Sequence, residues 1–520
     1  MMRLEVMGLQ RLEVVERTYY DSVTLMRVAK EIGGMEGVSS ASLSMGTDAN
    51  LRILAAAGFD VSNLSATPND LIIAVMGEQD VLDLAVAKAK EYLSNPPWRQ
   101  GQDGGESYKP RSLDGALTVM PEANLAVISV AGRYAGDVAM DCIAKDLNVM
   151  LYSDNVPLEK EIEVKRAAAE KGLLVMGPDC GTVVIRGVAI GMANSCPTGP
   201  VSIVAAAGTG LQEVHVQLAR RGVGTLHGIG TGGRDVKSQV GGIMVEMASR
   251  LLLEDHEVQV LVIVGKPPAP EVEERILHLA RGSSKPVVLG FVGGKAKGDQ
   301  HPVYICRELE ETAAVAAALA KGEDVPQVRA AMDAQVEELK ALAKRIGPRK
   351  GYLRGLYSGG TLCYEAQLIA RDILGPIHSN TPLEEHLKLE DSLRSVEHTI
   401  VDFGEDEFTQ GRLHPMIDVS LRASRFQEEV KDPEVGVVLF DVVIGYGCHP
   451  DPATGLVEGI RKAKEICGDR VVFVASVCGT PDDVQDADRQ RRILEEAGVV
   501  VMDSNAKASR LASFLLSLSE

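Results

Sequence analysis

The chain has 520 residues, and its 54 Lys and Arg against 73 Asp and Glu leave a formal charge of −19. That length is too great for one core and argues for about three or four domains, while 45% apolar and 24% charged residues describe a globular chain, not a disordered one. The acidic balance speaks against a nucleic-acid partner held by phosphate neutralisation, yet leaves room for a local pocket that captures one small anion.

In chain order, Arg3, Glu5, Arg11, Glu13, Glu16 and Arg17 interrupt the N-terminus, so no secretory apolar region can be drawn there. The longest apolar runs, such as Val260 to Val264, are strand-sized and predict no membrane span. Eight cysteines without a CxxC pair fit reduced thiols, and the expected location is the cytoplasm. Apolar runs at Leu4 to Met7 and Leu12 to Val15 lead into a helix-spaced segment, Ser22 to Ile32. A small-residue strand (Val38 to Met45), a helix (Ala49 to Ala57), a strand (Leu71 to Met76) and a helix (Val81 to Tyr92) follow. This order suggests an ACT-like or ferredoxin-like α+β domain over residues 1–95. Pro96, Pro97, Gly101, Gly104, Gly105 and Pro110 then break every period, so residues 96–118 read as a linker.

From residue 119 the pattern is α/β. Strands at Leu125 to Val130, Asn148 to Tyr152 and Leu173 to Met176 are mostly continuous apolar runs, and helices at Gly136 to Lys145 and Leu158 to Lys171 separate them. Such strands belong to parallel sheets covered on both faces. A Rossmann-like domain is expected over 119–197 and a second α/β domain over 198–325. A charged helix, Gln327 to Arg345, reads as a spacer within 326–349, and a third α/β domain covers 350–520. The fold class is therefore α/β, with several Rossmann- or flavodoxin-like parallel sheets behind an α+β start.

The last two series read as a repeat. SIVAAAGTGLQEVHVQLARRG (Ser202 to Gly222) parallels RGLYSGGTLCYEAQLIARDILG (Arg354 to Gly375). GIGTGGRDV (Gly228 to Val236) then parallels VDFGEDEFTQGRLHPMID (Val401 to Asp418), and LVIVGKPPAPE (Leu261 to Glu271) parallels LFDVVIGYGCHPDP (Leu439 to Pro452). Three landmarks in one order indicate a duplicated domain whose copies face each other.

A strand running into Gly208, Thr209 and Gly210 and then a helix aims free N–H groups and a helix dipole at one spot. Ser358, Gly359, Gly360 and Thr361 repeat that turn with hydroxyl donors. Either turn alone can be purely structural; two converging ones could clamp a phosphate. The loop Gly228 to Asp235 adds Gly232, Gly233 and the guanidinium of Arg234, which can fork onto phosphate or carboxylate. Its counterpart carries Glu405, Arg412 and His414 in a polar set that could bind magnesium or a substrate ammonium or amide, or simply be solvated. Cys448 and His449 sit past an apolar strand as pocket-lining residues, or as a nucleophile pair if their side chains meet.

These phrases resemble the succinyl-CoA synthetase α subunit: Gly177-Pro178-Asp179-Cys180-Gly181, the AGTGLQE turn, GIGTGGRDV and the VLVIVG strand occur in the same order over about Leu125 to Gly294. Residues 350–520 resemble the carboxy-terminal domain of that enzyme's β subunit, through Ser358 to Glu365, IVDFGEDE, FDVVIGYG and ASVCGTPDD. The chain is similar to the FdrA family of acyl-CoA synthetase-like fusions. The resemblance implies a degenerate CoA-binding-like domain at 119–197, an α-ligase-like domain at 198–325 and a β-ligase-like domain at 350–520. It lacks an ATP-grasp portion, and the stretch matching the phosphohistidine phrase, Gly298 to Val303, has no glycine after His301.

By resemblance, the implied activity is phosphate or acyl-phosphate handling, as in oxamate carbamoyltransferase of allantoin catabolism. The catalytic set would be Arg234, His414, Glu405 and Arg412, with phosphate on the two Gly turns. An ADP-forming acyl-CoA synthetase subunit with a separate ATP-grasp partner and a non-catalytic ligand-sensing subunit are the alternatives. The implied partners are small phosphates, acyl phosphates and carboxylates, other protein subunits and further copies of the chain. No cofactor is certain; magnesium is one option, and CoA is left open.

Overall fold

The computed structural model describes residues 9–95 and 110–518, apart from 19, 21, 69, 111, 297, 410 and 411. The expected strand Leu4 to Met7 and most of the Pro/Gly linker lie outside the described residues. Two units are formed: Met1–Arg111 with Glu405–Leu421, and Ser112–Gly404 with Arg422–Glu520.

The first unit is built from β1 (Leu9–Val15), α1 (Ser22–Gly33), β2 (Val38–Met45), α2 (Asp48–Ala56), β3 (Leu71–Gly77) and α3 (Gln79–Ser94). Its antiparallel sheet has the order β1-β3-β2. Alternation along β3 sends Ile73 and Val75 to one face, where they pack with Leu25, Val28 and Val86. Ile72 and Ala74 go to the other face, against Leu54 and Phe59. The sheet's middle strand is therefore buried on both sides, as its unbroken LIIAV run requires. This is the small α+β domain the sequence suggested.

The second unit begins with α4 (Leu113–Val119), a helix inside the segment read as linker. β4 (Leu125–Ile128), α5 (Gly132–Ala144), β5 (Asn148–Leu151), α6 (Leu158–Glu170) and β6 (Val175–Met176) make a three-stranded parallel sheet. A hairpin, β7 (Thr182–Ile185) and β8 (Val188–Gly191), then leaves that sheet. Through β7 it pairs antiparallel with the next sheet at Val184 and Gly228. Chain contiguity with 119–197 thus hides a hairpin that belongs structurally to the following sheet.

The duplication is explicit in the topology. The first copy comprises β9 (Val201–Ala206), α7 (Gly208–Arg220), β10 (Thr225–Gly230), α8 (Ile243–Glu254), β11 (Val260–Gly265), α9 (Pro270–Arg281), β12 (Val287–Phe291), β13 (Val303–Ile305) and α10 (Leu309–Lys321). After α11 (Val325–Ile346) the second copy runs through β14 (Tyr352–Tyr357), α12 (Gly360–Leu374) and β15 (Thr399–Asp402) and, after α13 (Asp406–Thr409), which belongs to the first unit, through α14 (Ser420–Glu429) and β16 (Val435–Val443). It ends with α15 (Pro452–Cys467), β17 (Val472–Cys478), α16 (Ala487–Glu496), β18 (Val500–Met502) and α17 (Asn505–Ser517). The parallel strands lie in the order β13-β12-β11-β9-β10 in one copy and β18-β17-β16-β14-β15 in the other, the same permutation. The helix read as a spacer is docked: Val325, Leu339 and Ala343 are buried, and Lys340 Nζ lies 5.6 Å from the Phe514 ring of α17. Among the described residues no helix is long and apolar enough to cross a membrane.

A buried polar seam joins the copies. Asn194 Nδ2 donates to Ile444 O at 2.8 Å and to Asp483 Oδ2 at 2.9 Å, while Ser195 N donates to Asp483 Oδ1 at 2.7 Å. Asp483 also accepts from Thr480 N, and Thr480 Oγ1 donates to Ser195 O. Burial raises the Asp483 pKa, and these donors pull it back. Asp483→Ala would leave several buried donors without an acceptor; a loss of about 2–4 kcal/mol is expected in urea unfolding, with no change in secondary structure by circular dichroism.

Candidate functional site

Each parallel sheet launches its first helix from the C-terminal end of its β9 or β14 strand. The following strand lies on one side of that launch point and the next on the other, an arrangement that opens a crevice at the strand ends. In the first copy the crevice is bordered by Ala207–Gly210, the glycine loop after β10, and Gly265–Lys266. In the second it is bordered by Ser358–Thr361 and Asp402–Gly404.

The two helix starts meet. Thr361 N donates to Thr209 Oγ1 at 3.4 Å. A Cβ on Gly359 would lie 2.8 Å from Thr209 Cγ2, and one on Gly210 would lie 3.2 Å from Thr361 Cγ2, so the glycines make the approach possible. Thr209 and Thr361 are buried, and Gly208 and Gly360 are half-buried. Both helices are embedded along most of their length, which explains their apolar character on several faces. The buried polar side chains of α7 have partners: Gln212 Nε2 donates to Met192 O at 2.7 Å, and His215 Nδ1 lies 2.8 Å from Thr225 Oγ1. Burial brings the His215 pKa down to about 4, so its ring is neutral.

The half-sites differ in which donors are already taken. Ser358 N and Oγ reach Asp441 Oδ1 at 2.8 and 3.0 Å, and Gly359 N reaches Asp441 Oδ2 at 2.8 Å. Asp441 is itself held by Arg422 Nη1 at 2.8 Å. Ser358 and Gly359, expected as phosphate donors, therefore turn those groups to an internal carboxylate. Asp402 stands beside Gly360, where a Cβ would meet its Oδ2 at 2.7 Å. By contrast, the backbone N–H groups of Gly208, Thr209 and Gly210 have no acceptor among the described residues. The unclaimed backbone donors of the pair are therefore those at the α7 end.

The glycine loop is anchored from beneath. Lys165, fully buried, contacts Glu161 Oε1 at 2.8 Å and Asp235 Oδ1 at 2.9 Å, and donates to Thr231 O at 2.9 Å. Asp235 accepts in turn from Val245 N at 2.8 Å, at the start of α8. Arg234 joins this network through Nε to Glu161 Oε2 at 2.7 Å and Nη2 to Val156 O at 2.7 Å, while its side chain stays 44% exposed. Two of its nitrogens thus serve the scaffold. Gly232, at φ +84°, lies so close to Pro178 O that a Cβ would be 2.6 Å away, and exposed Gly233 passes near Ala206 O.

Two residues the motif reading passed over lie at this edge. Lys266 follows Gly265, which is in register with Ala206 beside the α7 turn. Its Nζ sits 5.4 Å from the Tyr364 ring near the start of α12. Lys237 follows the glycine loop, and Ala269 N donates to Val236 O at 2.9 Å, tying the two lysine-bearing loops together. Burial, then the nearby Lys266 charge, lower the Lys237 pKa. The signal in the sequence was a lysine directly after a buried strand, in VLVIVGK.

Other expected residues fall elsewhere. Burial pushes the Cys448 thiol up to about 12, and His449 Nδ1 accepts from Asp451 N at 3.0 Å, so the chain holds Cys448 as a thiol at neutral pH. His301 is exposed in a tight turn, its ring edge-on to Tyr304 at 6.5 Å. Glu405, Arg412 and His414 belong to the first unit. There burial lowers the Arg412 pKa to about 10 against the opposing charge of Asp418, and His414 Nδ1 accepts from Met416 N at 3.2 Å.

YahF of Escherichia coli (strain K12) is 37% identical to this chain over 508 residues, covering 96% of this chain and 98% of its own length. The chain belongs to the YahF family, of FdrA type. Within this family member, residues 7–110 match "AllF, heavy metal-associated domain", 198–293 match "CoA binding domain" and 356–515 match "CoA-ligase". The CoA-binding match thus falls on the first copy of the repeat, whereas the sequence reading set its CoA-binding-like region at 119–197. A succinate–CoA ligase [ADP-forming] α subunit of Staphylococcus epidermidis is 27% identical over 179 residues, 33% of this chain and 57% of its own length. The apo acetyl-coenzyme A synthetase 1 of Ca. Korarchaeum cryptofilum aligns at a TM-score of 0.31 and 15% identity over 76% of this chain and 83% of its own. The scaffold is that of a succinyl-CoA synthetase-like acyl-CoA ligase.

The metal and cofactor implied by these names fare differently. Residues 7–110 contain no cysteine and no histidine, so they lack the thiolate and imidazole that soft metals require, and they do not fit a heavy-metal site. Among the described residues no group of three or more His, Cys, Asp and Glu is placed to hold a metal ion. The Gly208–Gly210 turn and Lys266 suit the phosphate groups of CoA as they suit any phosphate.

Five residues beyond each launch glycine lies a buried glutamate. Glu213 and Glu365 both approach Asn505, which donates through Nδ2 to Glu365 Oε2 at 2.8 Å and through N to Glu213 Oε1 at 3.5 Å. Burial raises the pKa of both, and that of Glu365 to about 8, with the charges of Glu308 and Glu213 adding. Its folded pKa exceeds the unfolded carboxylate value, so the stability it contributes is present at low pH and lost as pH rises toward about 8. Glu365→Gln should therefore gain stability relative to the unsubstituted chain between pH 5 and about 8 and level off above, read by denaturant unfolding at each pH.

Proposed function

We propose that this chain is a phosphate- or acyl-phosphate-handling transferase subunit on a succinyl-CoA synthetase-like scaffold, and that its reaction is carbamoyl transfer between carbamoyl phosphate and oxamate. The observation that carries this reading is the convergence of Gly208–Gly210 with Gly360–Thr361, with N–H donors left over at the α7 end and two lysines on adjoining loops. The oxamate amide nitrogen attacks the carbamoyl carbon, the C–O bond to phosphate breaks, and the amide proton passes to solvent or to the departing phosphate. No covalent enzyme intermediate is needed. The chain's task is to hold the phosphate and to stabilise the charge that grows on its bridging oxygen, which fixed N–H dipoles and ammonium groups do without reorganising.

On this reading Gly208, Thr209, Gly210, Gly360 and Thr361 bind the phosphate, Gly233 borders it, and Gly232 shapes the loop. Arg234 orients a carboxylate through the nitrogen left free of the scaffold, while Ser358 and Gly359 support the α12 turn through Asp441. The similarity to an ADP-forming succinate–CoA ligase α subunit favours a second reading, a CoA ligase subunit needing an ATP-grasp partner chain, with His301 as the phosphorylated residue. Assembly with other subunits and a cytoplasmic location accompany both readings.

The purified chain, alone and with the products of its neighbouring genes, is to be given carbamoyl phosphate and oxamate and assayed for oxalurate. Oxalurate with stoichiometric phosphate is the expected result, whereas ATP-dependent labelling of His301 without oxalurate would establish the ligase reading. A Cβ on Gly208 would meet nothing within 4 Å. Gly208→Val should therefore fold with an unchanged melting temperature and lose at least about tenfold in kcat/KM, roughly 1.4 kcal/mol of transition-state stabilisation.

A further inference from the structure

We propose that the free edge of β4 is the surface on which a second copy of this chain docks, the two β4 strands pairing antiparallel about a two-fold axis at Val127. β4 pairs with β5 on one side and, among the described residues, with no strand on the other. Such an edge offers a row of N–H and C=O groups to any strand that meets it, and monomeric proteins guard it with charge, proline or a covering element. The LAVI strand carries neither charge nor proline, and from Val119 to Gly132 Glu122 is the one charged residue.

Large apolar side chains flank this edge. Val119 and Met120 precede the strand, Val127 lies in it, Val130 follows it, and Tyr134 and Val138 come from α5; all six are exposed, Val119, Met120, Val127 and Tyr134 by more than half. Their placement follows from packing. Ala126 and Ile128 face the core beneath α5, so Val127 stands on the opposite face of the sheet. On α5, Ala135, Ala139 and Cys142 face the same core, and Gly136 lies against Lys160 of α6. Tyr134 and Val138, one turn apart, occupy the other flank of α5, the flank toward the β4 edge. Both faces beside the edge are thus apolar, the condition of a strand inside a parallel sheet and not at its margin. A lone peptide strand would pair with β4 and leave the helix flank bare. An occupant that covers both brings a strand with its own helix beside it.

The same edge of a second copy is such an occupant, because its residues match when reversed. With Val127 opposite its counterpart, Ala126 falls opposite Ile128, and the Val119–Met120 end of one copy meets the Val130 end of the other. Opposed residues keep to one face, so the two α5 helices lie side by side with Tyr134 and Val138 of each toward the axis. Glu122 falls opposite Gly132 and next to Arg133 of the second copy, whose guanidinium sits 4.8 Å from its own Tyr134 ring. One opposite-charge pair therefore forms at each end of the interface. Each copy carries a formal charge of −19, and this nearly uncharged stretch is where two copies approach with the least repulsion.

The test is sedimentation velocity of the full chain over a range of concentrations at fixed ionic strength, in which a reversible dimer is expected. Val127→Glu sets two like charges on the axis at an exposed position. Circular dichroism and melting temperature should stay unchanged, while dimerisation weakens at least about a hundredfold. Glu122→Arg and Arg133→Glu should each weaken it about threefold to tenfold, and the double exchange should restore it. Val127→Cys should give a disulfide-linked dimer with copper phenanthroline as oxidant, since opposed strand residues bring their Cα atoms within disulfide range. Leu251→Cys, at an exposed position of α8, should not. A monomer at every concentration, a dimer that Val127→Glu leaves intact, or a dimer in which Val127→Cys fails to crosslink overturns the proposal.

Discussion

The contact between the first turns of α7 and α12, closed by Thr361 N and Thr209 Oγ1, is the constraint on which the rest of the second unit depends. Two helix starts carry like-signed dipole ends, so bringing them together is unfavourable unless something neutralises them. The fold answers on one side with internal carboxylates, Asp441 and Asp402 at the α12 turn. On the other side it leaves N–H groups and ammonium groups unmatched. The seam around Asp483 and the Asn505 bridge between Glu213 and Glu365 hold the copies in this arrangement.

Duplication explains why the contact exists, and divergence explains why it is asymmetric. Both copies keep the same strand permutation, so each presents its first helix at the same place in its own sheet. In the first copy the strand beside that helix ends in Gly265–Lys266; in the second, the equivalent strand β16 carries Asp441, whose carboxylate reaches back to the helix start. A cation after the strand in one copy and an anion on it in the other make two equal half-sites unequal in charge.

Much of this was legible in the sequence. Strand-sized apolar runs gave the parallel sheets because continuous burial leaves no polar face to alternate, and three matched landmarks gave the duplication. The turns that open α7 and α12 were readable because the glycines at 210 and 359 permit the close backbone approach. What stayed hidden depends on distant partners. Nothing local distinguishes Ser358, whose donors go to Asp441 some eighty residues on, from Gly208, whose donors stay free. Arg234 looked like a ligand-binding guanidinium because Glu161, its partner in another layer, cannot be inferred from spacing. The helix Val325–Ile346 read as a spacer because its buried positions, Leu339 and Ala343, are few in a charged sequence. The hairpin of β7 and β8 crossed an expected boundary because antiparallel pairing to a later strand leaves no local mark.

The central claim is that one phosphate-type anion is held at the α7 end between backbone N–H groups and Lys266. The most direct measurement is the anomalous difference density of crystals of the full chain soaked with tungstate, a phosphate-shaped dianion with a strong signal. A single dominant peak within hydrogen-bonding reach of the Gly208–Gly210 nitrogens and the Lys266 ammonium is the result expected. Well-occupied tungstate elsewhere, with that turn vacant at saturating concentration, would contradict the account.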